Sequence, residues 1–254
     1  MDKLKIVIIG GGFGGLTAAK KLKHTKNDIL LIDKTNHHLF QPLLYQVASA
    51  ALSPSEIAIP IREIFRKQKN TTVIMGEVVK IDKKLKHIVL GNGDCIPYDS
   101  LVVAVGTRHS YFGNDTWEKF APGLKTVQDA LTIREEILIS FEKAERLEIL
   151  PPNSKYLNFV VIGGGPTGVE MAGAIAEVAY KTMFQNFRRI NPAQSKIFLI
   201  EAADYILPTF PKELSLRAKK DLEELGVNVI VGKKLQRSLK KACKLKMFFT
   251  LQQM

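Results

Sequence analysis

Cysteine is almost absent from this chain. Cys95 and Cys243 are the two in 254 residues, with no CxxC pair and no metal-ligand spacing. That excludes a disulfide-stapled scaffold and a zinc finger, and it predicts a reducing, cytoplasmic setting. Long apolar runs are missing too, since no stretch approaches the roughly 18 residues of a membrane-crossing helix. The opening residues, MDKLKIVIIGGG, lead straight into an apolar strand, which predicts no secretory or transit signal. Tryptophan occurs once, at Trp117, a position suited to core or domain-edge packing. What remains, 46% hydrophobic and 24% charged residues, is a globular composition with room for one large domain or two ordinary ones.

Acidic residues are missing from one place. The chain carries +12, yet residues 233–254 hold seven Lys or Arg and no Asp or Glu. The first 232 residues set 30 basic against 25 acidic side chains, a net +5. The excess is a tail, and without basic–aromatic repeats or zinc-finger spacing it predicts no nucleic-acid binding. The tail reads as a basic amphipathic helix for an anionic membrane, with Leu235, Leu239, Ala242 and Cys243 on one face. It also reads as an off-frame ending, which the loss of acids favours.

Glycine, by contrast, is placed with care. IVIIGGGFGGLTAA carries Gly10, Gly12 and Gly15 at the G-x-G-x-x-G spacing, and FVVIGGGPTGVEMAG repeats it 153 residues later with Gly163, Gly165 and Gly168. Each follows an apolar β-branched run and opens a helix-forming stretch. In such a motif the first glycine makes a tight turn, the second admits a pyrophosphate, and the third lets helix and strand pack closely. The helix N-terminus then holds the phosphates. Two such motifs in context predict two dinucleotides.

The remaining elements alternate in the same style. Strand, helix and strand are expected over 4–33, then an apolar loop with Pro42, Pro54 and Pro60 and a helix near 61–66. Short strands follow to residue 97, with a hairpin signal at Asn92-Gly93, and LVVAVGT is a buried strand ending at Gly106. Ile133, Ile137, Phe141 and Ala144 mark one face of a helix over 128–148, broken by Pro151-Pro152. A second strand–helix–strand unit runs from Tyr156 to KIFLIEA, then a helix closed by Gly226 and a last strand, VNVIVG. The fold class is α/β with two Rossmann-like dinucleotide-binding domains, the second inserted in the first.

Asp33 ends the second strand 23 residues after Gly10. It is either a ribose-binding carboxylate or a solvated strand-end acid. Glu201 holds the equivalent place after KIFLI, 38 residues after Gly163; the extra length falls in YKTMFQNFRRINPAQ. A carboxylate there repels a 2′-phosphate and favours NADH over NADPH. Glu170 is either a dipole partner in the first turn of its helix or a functional acid. Adjacent His37 and His38, lacking acidic or cysteine neighbours, are expected to be loop residues and not a metal site.

With these motifs placed, the chain resembles the type II NADH dehydrogenases, single-chain NADH:quinone oxidoreductases among the flavoproteins with two dinucleotide-binding domains. The resemblance rests on NHHLFQPLLYQVA (36–48), LVVAVGT (101–107), TWEKFAPGLKTVQDAL (116–131) and GGGPTGVEMAGAIAE (163–177), and covers residues 1 to about 232. It implies that Gly10, Gly11, Gly12, Phe13, Gly14, Gly15, Asp33 and Lys34 hold FAD, with Val78 at the adenine end. Gln41, Pro42 and Leu43 would lie near the isoalloxazine, and Ala104, Val105 and Gly106 would touch the flavin. Gly163, Gly164, Gly165, Pro166, Thr167, Gly168 and Glu201 would hold NADH, with Glu170, the catalytic candidate, beside the nicotinamide. Hydride then passes from NADH to FAD and electrons to a membrane quinone, with no nucleophile or metal. The family also implies a peripheral place on the inner face of the cell membrane, and it leaves homodimer formation open.

Two departures qualify the resemblance. Residues 104–106 read Ala-Val-Gly where the wider group has Ala-Thr-Gly, and the family pattern stops near Gly232. The expected domains are therefore 1–122 for FAD, 123–232 for NADH and 233–254 as an off-pattern tail. The C-terminal part of the FAD domain is expected to be missing, leaving the chain poorly soluble or flavin-free and inactive alone. The competing reading is a non-catalytic dinucleotide-binding remnant. A flavin-dependent disulfide reductase is excluded, because Cys95 and Cys243 cannot form its redox pair.

Overall fold

Apolar runs rich in β-branched residues set the first sheet of the computed structural model, which describes residues 3–108, 110–111, 113–148, 154–233 and 246–249. Numbered along the chain, β1 (Lys5–Ile9), β2 (Asp28–Asp33), β5 (Thr71–Met75) and β9 (Ser100–Val103) form a parallel sheet of order β5-β2-β1-β9. Its central strand is buried on both faces, as parallel sheets require. One face (Ile6, Ile8, Ile29, Leu31) packs with Leu16, Ala19, Ile61 and Phe65 of helices α1 (Phe13–Lys21) and α4 (Ile61–Phe65). The other (Val7, Ile9, Ile32) packs with Ile88 and Leu90. Those two belong to an antiparallel sheet of β6 (Val78–Asp82), β7 (His87–Leu90) and β8 (Cys95–Pro97). The Asn92-Gly93 signal falls between β7 and β8, with Gly93 at φ +92°.

The segment expected to be an apolar loop holds more structure than that. β3 (His37–Leu39) and β4 (Ala58–Pro60) pair antiparallel, so His37 and His38 are strand residues. Between them lie the short helices α2 (Leu44–Ala48) and α3 (Pro54–Ile57). Pairing between residues some twenty positions apart leaves no local periodic trace.

The second unit repeats the first. β10 (Asn158–Ile162), β11 (Lys196–Ile200), β12 (Val227–Ile230) and β13 (Lys246–Phe249) are parallel in the order β12-β11-β10-β13. In both sheets the third, second, first and fourth strands therefore lie side by side. Helix α6 (Pro166–Glu177) follows β10, passes into a π-helical turn at Val178–Thr182, and is joined to β11 by a long connection. That connection accounts for the wide spacing between Gly163 and Glu201. Helix α7 (Lys212–Glu224) ends before Gly226, which sits at φ +90°. Helix α5 (Val127–Glu145) buries Ile133, Ile137, Phe141 and Ala144, the expected face. Pro151 and Pro152 lie outside the described residues.

Strand β13 was not expected. It places residues 246–249 of the basic tail beside β10 in parallel register, from Phe159↔Lys246 to Ile162↔Phe249. Seven cationic residues had masked the short apolar run that pairs there. The two compact units also divide the chain differently from the expected domains: Met1–Phe40 with Ser55–Arg108, and Gln41–Pro54 with His109–Met254. Residues 41–54 go with the second unit because α2 packs on α5 and α6. Tyr111, Trp117 and Ala121 go with it because they pack on Val160 and Ile162.

Candidate functional site

In the first unit the chain leaves β1 through Gly10, whose φ of +103° is open to glycine and strained for other residues. A side chain at Gly10 would also strike the Ala104 carbonyl, and one at Gly15 would strike the Gly10 carbonyl. These two glycines are thus required by the protein's own packing. Gly12 is different. Its φ is an ordinary −75°, and a β-carbon there would meet nothing within 4 Å. Gly12 is also the N-cap of α1, with no side-chain cap and no acid in the first turn. An uncapped helix N-terminus beside open space fits an anion.

The turn is tied down at Gly11. Its N–H donates to Asp33 Oδ2 at 2.6 Å, and its carbonyl lies 3.1 Å from His38 Nδ1. The other oxygen of Asp33 accepts from the Thr35 N–H and hydroxyl, both at 2.7 Å, and from the Asn36 N–H at 3.1 Å. Partial burial pushes the Asp33 carboxyl up, but these donors together outweigh it and hold its pKa below the ordinary 3.8. Asp33 is therefore an organised, half-buried group and not a solvated strand-end acid. Phe13 stands edge-on to His38, with centroids 4.9 Å apart at 90°, and beside Phe40 at 5.7 Å.

The second unit builds the same turn. Gly163 has φ +104°, and its N–H donates to the Ile200 carbonyl at 2.8 Å. Gly164 donates to Glu201 Oε2 at 2.6 Å, and its own carbonyl accepts from the Leu207 N–H at 2.7 Å. Glu201 is 4% exposed and also accepts from the Ala203 N–H at 2.8 Å. Gly165 caps α6 with no side-chain bond, Pro166 opens the helix, and no acid lies in its first turn.

Glu170 is the fifth residue of α6, past the first turn, so the dipole-partner reading does not hold. Glu170 is exposed, yet neighbouring protein partly desolvates its carboxyl and pushes its pKa above the ordinary 4.5.

Gly10 to Gly15, Asp33 and Ala104 thus surround one turn; Gly163 to Gly168, with Thr167 in the first turn of α6, and Glu201 surround the other. Lys34 is exposed, as are Val105 and Gly106 just past β9. Val78 begins β6 and packs into the core beneath β1. Gln41, Pro42 and Leu43 form a 3₁₀ turn of the second unit, where Gln41 Oε1 lies 3.4 Å from Lys125 Nζ. Cys95 is exposed, Cys243 lies outside the described residues, and no group of three metal-ligating side chains occurs among the described residues. The contacts of His38 and Leu207 with the glycine turns were not foreseen. Nothing local in the sequence marked either His38 or Leu207 for these contacts.

Two parallel sheets of one strand order, each feeding a glycine turn into an uncapped helix beside a strand-end carboxylate, define the class of α/β proteins with two dinucleotide-binding units. The chain belongs to the pyridine nucleotide-disulphide oxidoreductase family, whose sequence pattern matches residues 4–253. It is 50% identical over 231 residues to a type II NADH:quinone oxidoreductase of Mycobacterium tuberculosis, covering 90% of this chain and 50% of that one. It is 33% identical to an external alternative NAD(P)H-ubiquinone oxidoreductase of Arabidopsis thaliana mitochondria, covering 91% of this chain and 41% of the other. The solved structure of NDH2 from Plasmodium falciparum in complex with NADH superposes with a TM-score of 0.87 at 27% identity, over 99% of this chain and 55% of that chain. The chain spans about half the length of the curated relatives it matches.

Proposed function

We propose that this chain carries the two nucleotide sites of an FAD-dependent NADH:quinone oxidoreductase, with FAD in the first turn and NADH in the second. The observation that carries the proposal is the repeated turn: two uncapped helix N-termini, each paired with an organised carboxylate. The names of the relatives supply the direction of electron flow, NADH to quinone. Bound FAD would supply the hydride acceptor and two-electron donor that link them, giving NAD⁺ and quinol from NADH, a proton and quinone.

The protein's share is binding and alignment. The first-turn N–H groups of α1 and α6 hold pyrophosphate, and Asp33 and Glu201 accept from ribose hydroxyls. Both carboxylates keep acceptor positions beyond the backbone bonds they already make. Val78 is the proposed contact at the adenine end of FAD, 104–106 are those proposed at the flavin, and Glu170 is the residue proposed to lie beside the nicotinamide. The enzyme acts at a membrane surface on its cytoplasmic side; no helix among the described residues is long and apolar enough to cross a bilayer.

The test is spectroscopic. NADH added to the purified chain should bind, read by the quenching and shift of its fluorescence, and FAD supplied in excess should be taken up with a shift of its visible absorbance, while sustained quinone reduction is not expected of this stretch alone. A flavin-loaded chain indifferent to NADH, or one that takes up neither nucleotide, would overturn the proposal. NADH should also bind more tightly than NADPH, and Glu201→Ala should narrow the gap, since a buried carboxylate facing a 2′-phosphate costs several kcal/mol. Titration calorimetry giving equal affinities for the two nucleotides would count against this role.

A further inference from the structure

The two turns are pinned at the same two atoms by different means. In each, the N–H of the middle glycine donates to the strand-end carboxylate: Gly11 to Asp33, Gly164 to Glu201. In each, the carbonyl of that glycine accepts one further bond. For Gly164 the donor is the backbone N–H of Leu207 at 2.7 Å. Leu207 stands at φ +50°, a costly conformation for a branched residue, so this donor is held in place against local preference. For Gly11 the donor is a side chain, His38 Nδ1, at 3.1 Å.

The carbonyl of Gly11 and the N–H of Gly12 belong to one planar trans peptide, in which C=O and N–H point in opposite directions. Fixing the carbonyl fixes the N–H. The Gly12 N–H lies on the turn where a β-carbon would meet nothing, the open space fitted to an anion. We infer that His38 is a positioning residue for the first site: by donating from Nδ1 to the Gly11 carbonyl, it aims the Gly12 amide at the phosphate. A carbonyl can only accept, so Nδ1 carries the proton. His38 is 8% exposed, in β3 and edge-on to Phe13, which keeps the ring in one orientation. The second site receives the same service from the main chain, so no side-chain substitution removes it there.

The inference rests on the first turn binding FAD, and its test separates the two. His38→Leu removes the donor and keeps an apolar side chain of similar size. His38→Asn keeps an N–H donor at the same bond distance from the backbone as Nδ1. FAD affinity should fall at least about tenfold in the leucine variant and stay within about threefold of wild type in the asparagine variant. NADH affinity at the second turn should be unchanged in both. Amide hydrogen exchange on the nucleotide-free chain gives a readout without flavin: His38→Leu should accelerate exchange at Gly11, His38→Asn should not, and Gly164 should be indifferent. Accelerated exchange in a chain that takes up no FAD would keep the positioning role and overturn the flavin assignment. Unchanged exchange, or equal damage from both variants, would overturn the role of His38.

Discussion

Gly12 and Gly15 stand in one motif under different constraints. Gly15 is required by the Gly10 carbonyl against it, whereas no described residue lies within 4 Å of where a β-carbon at Gly12 would stand. Asp33 and Glu170 divide in the same way, one carboxyl stabilised by its surroundings and the other opposed by them. The lowered pKa of Asp33 means that its contribution is present above 3.8 and is lost as pH falls through the lower folded value. Asp33→Asn sets an amide NH₂ or a single oxygen where two oxygens accept, at a cost of about 1–3 kcal/mol. Urea titrations should show that deficit at neutral pH and a narrowing gap below about pH 4. Glu170 has the opposite sign. Its raised pKa is a penalty on the charged form, absent below the ordinary 4.5 and complete above the folded value. Glu170→Gln should therefore be the more stable protein at neutral pH and lose that advantage as pH falls through 4.5. A variant gap independent of pH would refute the desolvation argument.

Helix α5 shows how an element is fixed at both ends and along one face. Thr126 accepts from the Asp129 N–H at 3.1 Å while the Asp129 carboxylate accepts from the Thr126 N–H at 2.8 Å, a capping box. Its far end is tied by Glu145, whose carboxylate accepts N–H bonds from Arg188, Arg189 and Ile190. Between them Phe141 is fully buried, its ring 5.5 Å from Phe159 of β10 and 6.0 Å from Phe187. Thr126→Ala should cost about 1 kcal/mol, and Phe141→Ala about 3–5 kcal/mol. Denaturant titration should rank them so. A Phe141→Ala cost near that of the cap would mean that the site collapses around the missing ring.

At the scale of the whole chain, the two glycine turns sit in two compact units, each turn closed by its own hydrogen bonds. Gly12→Val should abolish FAD binding at a stability cost of about 1 kcal/mol or less, that of a poorer N-cap. NADH at a hundred times its Kd should still stabilise the variant by about 2.7 kcal/mol. Loss of that NADH-dependent shift in thermal scans, with the fold intact, would show the sites to be coupled. The glycine spacings, the β-branched runs before them, the carboxylate ending each second strand and the apolar face of α5 were all legible in the sequence. Each follows from local geometry: a turn that needs positive φ, a strand buried on both faces, a helix with a 3.6-residue period. The tertiary structure alone decided the rest. Pairing of β3 with β4 turned His38 from an expected loop residue into a donor for Gly11. Packing of α2 on α5 and α6 moved residues 41–54 into the second unit, and β13 drew part of the basic tail into a sheet. Those outcomes depend on contacts between residues distant in the chain, and short-range pattern carries no record of them.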